Sequence, residues 1–114
     1  MPTDLNLLRE SLELLILQAL SWGPKHGYAI AEWIEHSTAA ELLVEEGTLY
    51  PALYRLADRG WVESEWGKSD LGRRARFYAL TPQGRTHLAQ QAPRWDRYVQ
   101  AIATALRRPA PGAP

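Results

Sequence analysis

The sequence predicts a mainly α-helical domain carrying one small β-hairpin, and three observations predict it. Leu49, Leu53 and Leu56 recur at helical spacing, so one stripe of the segment around them faces a core. Gly60 closes that helix, and the period then drops to two over Trp61-Val62-Glu63-Ser64-Glu65-Trp66, which reads as a strand. A turn with two glycines and three cations, Gly67-Lys68-Ser69-Asp70-Leu71-Gly72-Arg73-Arg74, leads into a second strand over Ala75–Leu80. Helix, glycine, strand, basic turn, strand is the order of a recognition helix followed by a β-wing. The expected fold class is therefore a winged helix-turn-helix, to which the C-terminal third adds a coiled-coil-like dimerisation helix.

The first helix is expected over about Asn6–Leu20, where Leu8, Leu12, Leu15, Ile16 and Ala19 make one face. Leu5, Leu7, Leu14 and Leu17 widen the apolar surface almost all round, so one side packs into the domain and the other meets a partner. Trp22-Gly23-Pro24 ends it and Lys25-His26-Gly27 connects onward. The second helix covers about Gly27–Ser37, with Tyr28, Ile30, Ala31, Trp33 and Ile34 inward and Glu32 and Glu35 in water. Residues 38–46 form a linker with a brief extended segment at Leu43-Val44. Pro51 conflicts with the interior of the third helix unless that helix begins near Thr48, whose hydroxyl would then cap it.

Thr81 caps the last helix and Pro82 occupies its first position. Leu88, Ala92, Trp95, Val99, Ile102 and Leu106 then recur by alternating steps of four and three, the spacing of a coiled-coil seam. No other helix of equal length is left to receive that seam, so a second copy of the chain is the natural partner. Pro93 bends the run without stopping it, whereas Pro109 cannot continue it. Residues 1–80 are thus the winged domain, 81–108 the dimerisation helix, and 109–114 a disordered tail.

With 114 residues the chain makes one small domain with a helical appendage, and burial against a second copy would enlarge a thin core. The absence of cysteine removes disulfides, thiolate metal sites and a cysteine nucleophile. Polar residues interrupt Leu5–Leu20, so it is neither a signal peptide nor a membrane span, and a cytoplasmic protein is expected. The formal net charge is zero, but its distribution is uneven. Residues 1–46 carry −6, residues 47–80 carry +2 and residues 81–114 carry +4. Positive charge therefore collects on the proposed reading head and the last helix, which suits local, salt-sensitive contact with phosphate.

Tyr50, Tyr54 and Arg55 fall off the leucine stripe of the third helix and are the candidates for the major groove, with Thr48 on phosphate. The plainer alternative is half-buried tyrosines and a solvated arginine. Lys68, Arg73, Arg74 and Arg76 are the candidates for backbone contacts from the wing, set against an ordinary solvated turn. Leu8, Leu12, Leu88, Ala92, Trp95, Val99, Ile102 and Leu106 are the candidates for the dimer interface.

Four stretches also carry a family resemblance. They are Leu12–Leu17 with Gly23-Pro24-Lys25-His26-Gly27-Tyr28, then Gly47-Thr48-Leu49-Tyr50-Pro51-Ala52-Leu53, then Gly72-Arg73-Arg74-Ala75-Arg76-Phe77-Tyr78, and Leu80-Thr81-Pro82-Gln83-Gly84-Arg85. In this order and spacing, and with Trp95 and Ala101-Ile102 beyond, the chain resembles PadR-type transcriptional regulators. The resemblance implies a homodimer, joined through helix 1 and the last helix, that binds a palindromic double-stranded DNA operator and usually represses transcription. In multidrug-binding relatives a tryptophan of the last helix lines a flat aromatic pocket, and Trp95 is similarly placed. Trp95 thus has two readings, seam core or the wall of a site for a small aromatic effector.

A winged-helix module that pairs with protein instead of DNA is the main rival, and the salt dependence of DNA binding separates the two. Catalysis has little to stand on. His26, His36 and His87 are scattered without a second metal ligand at suitable spacing, and the serines lack a nucleophile-elbow context. Gly67-Lys68-Ser69 has the ending of a phosphate loop, but the upstream glycine it needs is Val62. No enzyme, no metal and no cofactor are expected.

Overall fold

The computed structural model describes residues 2–112, with side chains from Arg9 onward. Helix α1 (Pro2–Leu20) leads to a short strand β1 (Lys25–His26) and helix α2 (Gly27–Ser37). Helix α3 (Glu46–Asp58), strands β2 (Val62–Lys68) and β3 (Arg74–Leu80), and helix α4 (Pro82–Leu106) complete the chain. The core lies where the first three helices meet the base of the hairpin. Leu12, Ile16, Leu17 and Leu20 of α1, Ile30 and Ile34 of α2, and Leu49, Leu53 and Leu56 of α3 are buried there with Val62.

Local chemistry sets the joints. The His26 ring caps α2, its Nδ1 accepting from the Ala29 amide at 3.2 Å. At the end of α3, Trp61 N–H donates to the Leu56 carbonyl and Gly60 N–H to that of Ala57. With Gly60 at φ +78 this is a Schellman cap, which turns the chain directly into β2. Thr81 Oγ1 accepts from Gly84 N–H at 3.0 Å and donates to the Gly60 carbonyl at 2.6 Å, tying the start of α4 to the end of α3. A Cβ at Gly84 would overlap the Trp61 carbonyl, so only glycine lets α4 lie that close.

Several expectations need correction. α1 starts at Pro2, earlier than Asn6, and the hairpin strands extend to Lys68 and begin at Arg74, so the loop between them is only Ser69–Arg73. Lys25–His26 is a third strand on the outer edge of β3, pairing Lys25 with Tyr78 and His26 with Phe77. Two residues are too few to show alternation, so no periodic signal marks that strand. Tyr28 points outward and is 72% exposed, because the inward positions of α2 fall on Gly27, Ile30 and Ile34. Leu43-Val44 forms no strand; the preceding turn instead holds Ala39 and Ala40 at φ 50 and 63, a conformation that costs residues bearing a Cβ. Thr48 does not cap α3. The helix begins at Glu46 with no side-chain cap, acidic residues meeting the positive end of its dipole, and Pro51 lies inside it on the exposed side.

α4 is continuous through Pro93 and has two parts. Its first part packs on the domain, with Leu88 buried and Ala92 against the core. Its distal part leaves the body: Val99 and Ile102 are exposed, and Leu106 is 81% exposed. The radius of gyration is 16.7 Å, against about 13 Å for a compact chain of this length. Residues 109–112 form neither helix nor strand, and Ala113 and Pro114 of the expected tail lie outside the described residues.

Candidate nucleic-acid interface

The outer face of α3 is set by its leucines. Because Leu49, Ala52, Leu53 and Leu56 face the core, Thr48, Tyr50, Pro51 and Tyr54 are left outward. Tyr54 is 78% exposed, an aromatic surface open to a ligand. Tyr50 is less free: its ring leans on Gly27 at the start of α2, where an added Cβ would come within 2.8 Å of the ring carbon bearing the hydroxyl. Partial burial, followed by the nearby Glu46 carboxylate and Tyr78, raises the Tyr50 phenol above its ordinary value. Tyr50 therefore stays a neutral O–H group at physiological pH, able both to donate and to accept.

Arg55 does not stand with the tyrosines. Its Nε donates to Glu13 Oε2 at 2.7 Å, and Arg59 Nη1 donates to the other oxygen, Oε1, at 2.8 Å. Glu13 sits on the inner side of α1 and is itself buried, so the carboxylate needs these partners. In the folded chain Arg55 is half of a clamp joining α1 to α3. Glu13 carries no local signal of this role, since its partners lie far along the chain.

The wing has two chemically distinct faces. Cross-strand pairs Val62–Leu80, Ser64–Tyr78, Trp66–Arg76 and Lys68–Arg74 share one face, while Glu63, Glu65 and Phe77 lie on the other. The cations thus continue outward along the side whose base, at Val62, enters the core. Arg74 lies over the Trp66 ring with Cζ 4.4 Å from its centroid, and Arg76 over the same ring at 5.5 Å. Arg76 Nε also donates to Ser64 Oγ at 2.9 Å. Arg73 is exposed in the loop, which Gly72 (φ +76) and a hydrogen bond from Ser69 N–H to the Arg73 carbonyl hold closed. Thus Lys68, Arg74 and Arg76 come together on one face with Arg73 at its outer end. Sequence reasoning missed Trp66 and Ser64, although strand alternation already puts both on the face of Lys68.

The seam residues also divide. Leu12 and Leu88 are buried in the chain's own core, with little surface left exposed. Ala92 and Trp95 are half-buried, Val99, Ile102 and Leu106 are exposed, and Leu8 lies outside the residues whose side chains are described. Trp95 meets Tyr98 edge-on, their centroids 5.9 Å apart, in an open groove of about 520 Å³ that also involves Glu10, Gln91, Arg94 and Arg97. Closer to the body, His87 stacks on Trp61 at 3.6 Å. Burial first, and then the Arg59 guanidinium, push its pKa down. Among the described residues no group of three or more His, Cys, Asp or Glu could hold a metal, and no helix is long and apolar enough to cross a membrane.

Comparison with known proteins gives this geometry a context. The model of the Transcriptional regulator PadR-like family matches residues 16–90, from the core of α1 through the first half of α4. An "Uncharacterized protein X" of Lysinibacillus sphaericus is 26% identical over 97 residues, covering 85% of this chain and 89% of its own. The solved structure of a transcriptional regulator from Clostridium thermocellum is 28% identical with a TM-score of 0.76, covering 87% of this chain and 96% of its own. A PadR family transcriptional regulator from Eggerthella lenta, also solved, is 26% identical with a TM-score of 0.74, covering 95% and 92% respectively.

Proposed function

The chain belongs to the PadR-like family of transcriptional regulators, and from that premise we propose that it represses transcription as a homodimer on a palindromic operator. It is a DNA-binding regulator of transcription and not an enzyme. In the proposed complex α3 enters the major groove, presenting Tyr50 and Tyr54 to base edges and Thr48 to phosphate. Lys68, Arg73, Arg74 and Arg76 grip the backbone from the wing, while Arg55 supports α3 through Glu13 instead of reading bases.

The observation that carries this reading is the segregated wing, with its cations on one face and Glu63 and Glu65 on the other. A net charge of zero gives no global attraction to DNA, so binding must come from such a local surface. The exposed distal α4 residues supply the contact with a second copy. Two copies then span half-sites about one helical turn, roughly 10 base pairs, apart or a multiple of it. A small aromatic effector seated by Trp95, on the helix that joins the subunits, would release the operator by changing the spacing of the two reading heads. Such a regulator works in the cytoplasm, beside the DNA it controls.

Replacing Arg73 and Arg74 together with alanine should weaken binding to every duplex alike. The slope of log affinity against log salt should flatten by about 0.9 for each phosphate no longer neutralised. Fluorescence anisotropy across a salt series reads both quantities, and an unchanged affinity and slope would remove the wing from the interface.

A further inference from the structure

We propose that Trp66 is a positioning residue for DNA binding, a flat platform that holds Arg74 and Arg76 ready for the phosphate backbone; this rests on the wing reading above. Trp66 is 56% exposed and does not belong to the hydrophobic core, so burial does not explain a residue of this size on the wing. What it touches does. Both guanidiniums lie over its ring, at 4.4 and 5.5 Å, within the distance at which an indole face attracts a cation.

The geometry leaves the donors available. A guanidinium that stacks on a ring uses its flat face, while its N–H groups point outward along its edge. Arg74 lies over the ring, and Arg76 in addition spends Nε on Ser64, keeping its terminal nitrogens for an oxyanion. Strand alternation fixes the set: Ser64, Trp66 and Lys68 of β2 lie opposite Tyr78, Arg76 and Arg74 of β3 on one face. A free arginine loses rotamer entropy when it grips phosphate; one already laid on a ring has lost much of it beforehand. The platform thus raises affinity without touching an additional phosphate.

A double-mutant cycle tests this on the full chain, with a mixed-sequence duplex of about three helical turns as the probe. The variants are Trp66→Leu, Arg74→Ala with Arg76→Ala, the triple combination, and Trp66→Phe. Melting curves establish that each is folded, as the exposure of Trp66 favours. Trp66→Leu should weaken binding roughly five- to tenfold with an unchanged salt slope, because the number of charges facing phosphate is the same. Trp66→Phe should recover most of the loss. In the background lacking both arginines, Trp66→Leu should change affinity by less than about twofold. An equal loss in both backgrounds would overturn the proposal, making Trp66 a direct contact or a structural residue, and so would no loss in either. If removing the two arginines leaves affinity and slope untouched, the wing reading itself fails and the platform falls with it.

Discussion

Glu13 interrupts a leucine-rich helix and reads, in sequence, only as one of the polar breaks in that run. In the folded chain it is buried and holds Arg55 and Arg59 at the end of α3. No window of local sequence contains that information, because an ion pair between distant residues leaves no periodic trace. The same environment includes His87, stacked on Trp61 with Arg59 nearby. Its pKa is lowered from the ordinary 6.5 by burial and then by Arg59, while Glu13 opposes the shift. The unfolded chain therefore takes up a proton at higher pH than the folded one. His87's contribution to stability is complete above about pH 6.5 and is lost as pH falls toward its lowered folded value. Denaturant midpoints measured from about pH 7.5 to 5.5 should therefore decline, and His87→Phe, which keeps the stack without the titration, should flatten that part of the curve.

At the scale of elements, the helices of the domain are legible because their leucines recur at the helical period, and α2 has the bounds its sequence predicts. The wing is legible from the switch to period two after Gly60. What stays hidden is set by partners outside each element: the strand at Lys25–His26 exists only because β3 has a free edge, and Tyr28 faces out because Gly27 takes the position against Tyr50. At the joint at Gly60 local sequence determines the geometry, since its φ of +78 suits glycine and penalises any side chain. Gly60→Ala should therefore cost about 1–2 kcal/mol and lower the melting temperature by several degrees. A variant melting with the wild type would show that the cap relaxes without strain.

For the whole molecule the decisive feature is the helix that leaves its own domain. The four-three spacing of α4 predicts a seam from Leu88 to Leu106, and the structure divides it where the body ends. Leu88 belongs to the chain's own core, a distinction that spacing alone cannot make, whereas Ile102 remains 40% exposed. Ile102→Asp should thus leave the melting of the winged domain intact while shifting sedimentation from dimer to monomer and weakening operator binding at least tenfold. A dimer that survives this change would place the interface elsewhere. A two-fold symmetric DNA-binding regulator is tested most directly by selecting bound duplexes from a random library and retesting the winner across salt. The expected result is an enriched inverted repeat, its half-sites about a helical turn or a multiple apart, whose affinity falls steeply with salt. Weak binding without enrichment at any salt would contradict it.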